Sequence, residues 1–241
     1  MAEYDRQTLN ARAGSALAID EGLRSYMLRV YNYMGLGLVV TGLVAWFTSQ
    51  WAMSSQANAE LLYGSPLAFV IMLSPLAFVL VLSFGIGKLS VPAAQAVFWA
   101  FAAVMGLSLS SIFLVYTGAS IAKVFFITAA TFGAMSLYGY TTKRDLTGMG
   151  NFLMMGLIGI IIASIVNIFM ASSMLDFAIS VLGVLIFTGL TAYDTQKIKE
   201  SYSESYGADV LAKNAIMGAL SLYLDFINLF MMLLRLFGNR E

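Results

Sequence analysis

The sequence contains no cysteine and no histidine. Without cysteine there is no disulfide, no thiolate nucleophile and no zinc site built on thiolates. Without histidine, the Ser-His-Asp catalytic triad, the HExxH zinc protease motif and proton relays through imidazole are excluded as well. The side chains that remain for chemistry are those of Asp, Glu, Lys, Arg, Tyr, Ser and Thr.

Charge is also scarce. Charged residues make up 11% of the 241 positions and hydrophobic residues 60%, with a formal net charge of zero. A soluble domain normally carries about 25% charged residues, so the composition predicts an all-α, polytopic membrane protein. The zero net charge gives no indication of nucleic-acid binding. The first 29 residues are polar and do not resemble a secretory signal peptide, so the first apolar run is expected to remain in the mature protein.

Seven apolar runs follow the polar N-terminal segment of residues 1–29, which is expected to be partly disordered or interfacial. Each run approaches the ~20 residues that a helix needs to cross a bilayer, which predicts a seven-helix transmembrane domain over residues 30–238. Only residues 117–120 separate the third run from the fourth. The runs are Val30 to Trp51, Pro66 to Ile86, Ala93 to Tyr116, Ile121 to Tyr140, Asn151 to Ala171, Phe177 to Tyr193 and Ala215 to Phe237.

Basic residues lie mainly in the N-terminal segment and in the links after spans two, four and six, with Lys123 as an exception. The positive-inside rule then places the N-terminus in the cytoplasm and, with seven spans, the C-terminus outside. Arg235 and Arg240 argue against this placement of the C-terminus. If the last helix were re-entrant, both termini would be cytoplasmic. The basic residues in these links are Lys88, Lys143, Arg144, Lys197, Lys199 and Lys213.

Small residues recur within the spans. In membranes such residues let helix backbones approach closely, so we interpret them as helix contacts rather than as a phosphate-binding loop. The glycines in question are Gly35, Gly37, Gly42, Gly156, Gly159, Gly183 and Gly189.

Two carboxylates interrupt the last two apolar runs. Asp225 lies in the middle of Leu220 to Leu236, and Asp194 ends the run that begins at Phe177. An ionisable group inside a bilayer is costly unless it is paired or hydrated, so both are candidate functional residues. Because spans six and seven are consecutive, they are expected to be antiparallel neighbours. The two acids would then come close, at depths that differ by ~10 Å if both helices extend into the link.

Two neighbouring carboxylates in a low dielectric do not both ionise easily, so they are expected to share a proton and to titrate as a coupled pair. Such a pair would be a pH sensor, and its oxygens are ligands that hard cations such as Ca²⁺ select. An alternative stays open from the residues alone. Asp194 would pair with Lys197 at the interface, and Asp225 would be satisfied by Asn228 or by a tyrosine hydroxyl.

Three segments closely resemble the bacterial branch of the Bax inhibitor-1 family, also called the transmembrane BAX inhibitor motif family. They are SLYGYTTKRDLTGMGNFLMMGLIGIIIASIVNIF (136–169), LTAYDTQKIKE (190–200) and ALSLYLDFINLFMMLLRLFG (219–238), within a likeness that covers about residues 22 to 238. The resemblance implies an inner-membrane protein with six helices around a central seventh. It also implies a pH-sensitive calcium leak governed by a di-aspartyl pair, whose matching positions are Asp194 and Asp225.

In relatives, an arginine at the cytoplasmic end of the second helix latches onto the first aspartate. Lys88 stands at that position here. Because lysine lacks the guanidinium fork, such a latch is expected to be weaker or different in geometry. Deprotonation of the pair would open the path by repulsion, or would close it by strengthening a bond from Asp194 to Lys88. No cofactor is implied, since Ca²⁺ would be the permeant ion, held in passing by Asp194 and Asp225.

The sequence argues against two other functions of membrane proteins. Intramembrane aspartyl proteases also use two aspartates, but they need a GxGD motif at the second, where this chain has Leu222-Tyr223-Leu224-Asp225. No enzyme is therefore expected. A retinal receptor would need a lysine in the last span, and none lies between Asn214 and Arg235. The alternative kept is a regulatory membrane protein that acts through a partner, such as a membrane-bound ATP-dependent protease.

Overall fold

The fold is a bundle of long helices. The computed structural model describes the backbone of residues 2–240 and the side chains of residues 21–240. Within these residues there is no β-strand. The elements are α1 (Ala2–Met53), α2 (Gln56–Ala59), a π-helical turn (Glu60–Gly64), α3 (Leu67–Gly85), α4 (Val91–Leu109), α5 (Ile112–Val115), α6 (Gly118–Thr141), α7 (Thr147–Met170), α8 (Ser173–Glu200) and α9 (Ala208–Phe237).

Within the described part of the chain, seven segments are long and apolar enough to cross a membrane, which confirms the predicted class and number of spans. They are α1 from Glu21 onward, α4 together with α5, and each of α3, α6, α7, α8 and α9. The backbone from Ala2 to Met53 forms one helix, α1, rather than the partly disordered segment expected for its first part, and the chain has no proline before Pro66 that would interrupt it. An interfacial position of the N-terminal segment stays a prediction.

The third and fourth spans are separate helices. α5 ends at Val115, and Thr117 begins α6 by accepting the backbone N–H of Ser120 with its hydroxyl. The C-terminal residues lie against this turn. The backbone N–H of Thr117 donates to the carbonyl of Asn239 at 3.2 Å, and the N–H of Asn239 donates to the Ser120 hydroxyl at 2.9 Å.

The two ends of the bundle differ in charge. We call the end where α8 connects to α9 the basic end, because Lys197 and Lys199 close α8 there. Tyr26 of α1 lies at the same end, with its hydroxyl 3.1 Å from that of Ser201. The last helix crosses from there to the opposite end, where Asn239 meets the turn before α6. It is therefore not re-entrant, and the start of the first span and the C-terminus lie at opposite ends.

α9 occupies the centre of the bundle. It packs against α1, α3, α4, α6 and α8, and its buried face includes Asp225. This confirms the expected central position of the last helix. The expected ring of six helices around α9 differs at one helix. α7 packs mainly on α8 rather than on α9.

The register of α8 against α9 is set by two close contacts. A Cβ atom added at Gly218 would lie 3.1 Å from Ile198, and one added at Gly183 would lie 2.8 Å from Met232. The antiparallel pairing therefore places the end of α8 level with residue 216, so the first two turns of α9 project beyond α8. Asp194 is then level with residue 222, and its depth differs from that of Asp225 by about 4.5 Å. The predicted difference of ~10 Å was too large because it ignored this offset.

The predicted glycine contacts are confirmed in part. A Cβ atom would meet a neighbouring helix at four of the seven positions, namely Gly37, Gly156, Gly183 and Gly189. The prediction is wrong for the other three, Gly35, Gly42 and Gly159, where nothing lies within 4 Å of such an atom.

Candidate functional site: two acids in a cavity inside the bundle

Asp194 and Asp225 line one cavity of about 740 Å³. α8 supplies Asp194 and α9 supplies Asp225, while α3, α4 and α7 supply apolar walls. Asp225 is only 5% exposed, whereas Asp194 is half-buried. The structure thus brings together the two carboxylates that the sequence singled out.

The two carboxyl groups line the same cavity from two helices that pack together. Two carboxylates without a proton have only acceptor atoms, so a direct hydrogen bond between them would require that the pair hold one proton. The second oxygen of Asp225, Oδ2, is buried and has no hydrogen-bond partner. A buried polar atom without a partner is unusual in proteins and marks a site that binds something or stores strain.

The structure does not support the alternative in which ordinary neighbours satisfy Asp225. The Asn228 amide donates to the carbonyl of Leu224 at 2.8 Å. The Tyr223 hydroxyl lies 2.6 Å from that of Thr41 on α1. Each of these groups has another partner, and Oδ2 of Asp225 is bonded to neither of them.

Two lysines are candidate partners of Asp194. Lys197 lies one turn further along α8. Its Nζ lies over the ring of Tyr193, 5.9 Å from the ring centre. Lys88 is exposed on the link after α3 and does not line the cavity. Among the side chains of residues 21–240 neither lysine forms a salt bridge. A latch by Lys88 stays a prediction.

Buried hydroxyl groups hold the two helices of the site in place. On α9, Tyr223 bonds to Thr41, whose hydroxyl also lies 2.8 Å from the carbonyl of Ala102 on α4. On α8, the Thr195 hydroxyl lies 3.0 Å from that of Ser136 on α6. Thr195 directly follows Asp194, and Tyr223 lies two positions before Asp225. The residues were missed in the sequence, because hydroxyl groups recur in every span and give no pairing signal.

A salt bridge joins the same two helices at the end opposite the basic end. Arg235 Nη1 lies 3.6 Å from Asp176 Oδ1, and both side chains are more than a third exposed. A pair so exposed contributes about 0 to 1 kcal/mol in water. This pair was not predicted from the sequence. The signal that would have identified it is that the two residues carry opposite charges and lie at facing ends of consecutive antiparallel helices.

The oxygens of the cavity suit a cation that keeps part of its water. Besides the two carboxyl groups, Ser164, Ser221 and Asn228 supply polar side chains to the lining. Within residues 21–240 no group of three or more acidic residues is arranged to hold a metal ion. Ca²⁺ takes six to eight oxygen ligands. Water would therefore have to supply several of them, which favours passage over tight retention.

Comparison with known proteins places the chain in a family. The family described as inhibitor of apoptosis-promoting Bax1 matches residues 23–241. The chain belongs to the Bax inhibitor-1 family. This confirms the resemblance seen in the three sequence segments.

Bacterial relatives are similar over nearly their whole length. The inner membrane protein YbhL of Escherichia coli is 51% identical over 233 residues, which cover 95% of this chain and 98% of that protein. An uncharacterized protein of Rickettsia prowazekii is 51% identical over 222 residues, or 92% of each chain. An uncharacterized membrane protein of Streptococcus pyogenes is 37% identical over 227 residues, covering 92% of this chain and 96% of that one.

Proposed function

We propose that this membrane protein is a pH-sensitive leak for cations, with Ca²⁺ as the permeant ion and Asp194 and Asp225 as sensor and constriction. The observation that carries the proposal is the buried, unpartnered oxygen of Asp225 beside a second carboxyl group in one cavity. A lone charge at this depth costs several kcal/mol. The pair is therefore stabilised by a shared proton or by a cation, and exchange between the two couples ion occupancy to pH.

The surroundings of the pair leave few other groups to titrate. The parts of α3, α4 and α7 that line the cavity carry no ionisable side chain, and neither does the rest of the α9 lining. Lys197 lies one turn from Asp194 on α8 but is not part of the cavity lining. A pH response of the cavity would therefore arise from Asp194 and Asp225 themselves.

The proposed location is the inner membrane, with the basic end in the cytoplasm. It rests on the inner-membrane relative of E. coli and on the positive-inside rule. The C-terminus would then lie outside. The proposed latch is Lys88, which is exposed on the cytoplasmic link after α3 and does not line the cavity in this structure.

Calcium uptake into liposomes that contain the purified protein tests the proposal. We expect Asp225→Asn to lower the uptake rate at least about tenfold, since a charged hydrogen-bonding group contributes about 1.5 to 3 kcal/mol. Asp209→Asn is the matched control, because Asp209 is an exposed acid on the same helix, and it should transport like the wild type. No uptake by the wild type, or equal uptake by Asp225→Asn, would contradict the proposal and favour a protein that acts through a partner.

A further inference from the structure

The cavity that holds the two acids is open on the side that faces the lipid. α3 packs on α4 and α7 packs on α8, which leaves a gap between α3 and α7. Residues of both helices that line the cavity are also about half exposed, with Leu76 at 57%, Ile161 at 50% and Ile165 at 54%. We call this gap the lateral slot, formed by Leu76 on α3 and by Ile161 and Ile165 on α7.

Polarity changes along the depth of the slot. At the lipid side its walls are mainly aliphatic, with the Ser164 hydroxyl on α7 donating to the carbonyl of Ile160, whereas Ser221, Asn228 and the two acids lie on α8 and α9. Among the described residues that line the cavity there is no lysine or arginine. The charged groups of this lining are therefore the two carboxyl groups, and Asp225 is 5% exposed with an oxygen that has no hydrogen-bond partner.

These features determine which chemical groups a ligand that enters from the bilayer must carry. Such a ligand needs an apolar body to dissolve in lipid and to contact the aliphatic walls. It also needs a positive group to offset the charge of the carboxyl pair, because an anionic head group would be repelled and a neutral head group would leave a buried carboxylate charge uncompensated. The volume of about 740 Å³ lies within the range of about 300 to 1,000 Å³ that is usual for small-molecule sites.

We propose that the lateral slot binds lipophilic ammonium compounds from the bilayer, with the hydrocarbon chain between α3 and α7 and the nitrogen against Asp194 and Asp225. A bound ammonium group occupies the place of a permeant cation, so the compound also blocks the leak. The expected block of the leak rests on the proposed function, whereas binding of the ammonium compound rests on the cavity alone.

Equilibrium binding in phosphatidylcholine nanodiscs tests the assignment. The probe is radiolabelled dodecyltrimethylammonium, whose charge does not change with pH, and empty nanodiscs give the background of simple partition. We expect saturable binding of about one probe per protein, at least a tenfold loss of affinity in Asp225→Asn, and no saturable binding of the neutral dodecanol. Saturable binding of dodecanol with equal affinity, or no saturable binding of the ammonium probe, would overturn the proposal.

A pair of variants on α7 tests the route through the slot. Ile161 lines the cavity, whereas its neighbour Ile162 does not, although both are at least half exposed. Ile161→Trp should fill the slot and weaken probe binding about tenfold, and Ile162→Trp should bind like the wild type. Equal binding by Ile161→Trp and the wild type would overturn the lateral route.

Calcium uptake with and without the probe separates this inference from the proposed function. Uptake that falls as the probe site fills supports both. Saturable binding by a protein without any calcium uptake supports the site and overturns the leak. Uptake by a protein without saturable binding supports the leak and overturns the site, and uptake unchanged by a bound probe overturns the block.

Discussion

Gly139→Ala is expected to destabilise the protein by about 2 to 3 kcal/mol, since a forced overlap in a filled interior costs this much. A Cβ atom at this position on α6 would overlap the backbone carbonyl group of Ala192 on α8. Backbone cannot rotate away as a side chain does, so the two helices must separate beside Asp194. The expected fall in Tm in detergent is about 5 to 10 °C, at about 2 to 4 °C for each kcal/mol.

Gly133→Ala is the matched control for this prediction. Gly133 lies on the same helix, and nothing is within 4 Å of a Cβ atom added there. Alanine is the better helix former by about 0.5 to 1 kcal/mol. The control should therefore melt at the wild-type temperature or slightly above it. Equal Tm values for the two variants would contradict the close approach of α6 to α8.

Tyr223→Ala is expected to cost about 3 to 5 kcal/mol, as for other large aromatic side chains removed from a core. Tyr223 is fully buried, and its ring packs on Phe101 at a centroid distance of 5.1 Å. Removing it leaves a cavity between α9, α1 and α4. Thermal unfolding followed by circular dichroism measures the loss.

Tyr223→Phe separates the ring from the hydroxyl group. Phenylalanine fills the same space and loses only the 2.6 Å contact to Thr41. The net value of one such hydrogen bond is about 1 kcal/mol, so this variant should keep most of the stability. A loss as large as that of Tyr223→Ala would show that the hydrogen bond, not the ring, holds α9 in place.

The number of spans and the pairing of the two acids were predictable from the sequence. Each helix covers an apolar run whose length suits a bilayer, and Asp194 and Asp225 lie on consecutive helices. Helices that follow one another in the sequence are usually adjacent and antiparallel in the fold. Proximity of the acids therefore followed from chain order, whereas their relative depth depended on where α8 ends.

Contacts between distant segments could not be predicted in this way. Tyr223 and Thr41 are 182 positions apart, and neither stands out among the hydroxyl residues of the spans. Gly139 and Gly159 look alike in the sequence, yet one touches backbone and the other faces open space. The lateral slot is a gap between helices, so it depends on how α3 and α7 diverge and has no sequence pattern.

The measurement that tests the central claim most directly is calcium flux into liposomes over a range of pH, for the wild type, Asp194→Asn and Asp225→Asn. Each substitution keeps the size of the side chain and removes one member of the proton-sharing pair. The account predicts a flux that changes with pH in the wild type and loses this dependence in both variants. A pH-dependent flux that survives in either variant would contradict the role of the pair.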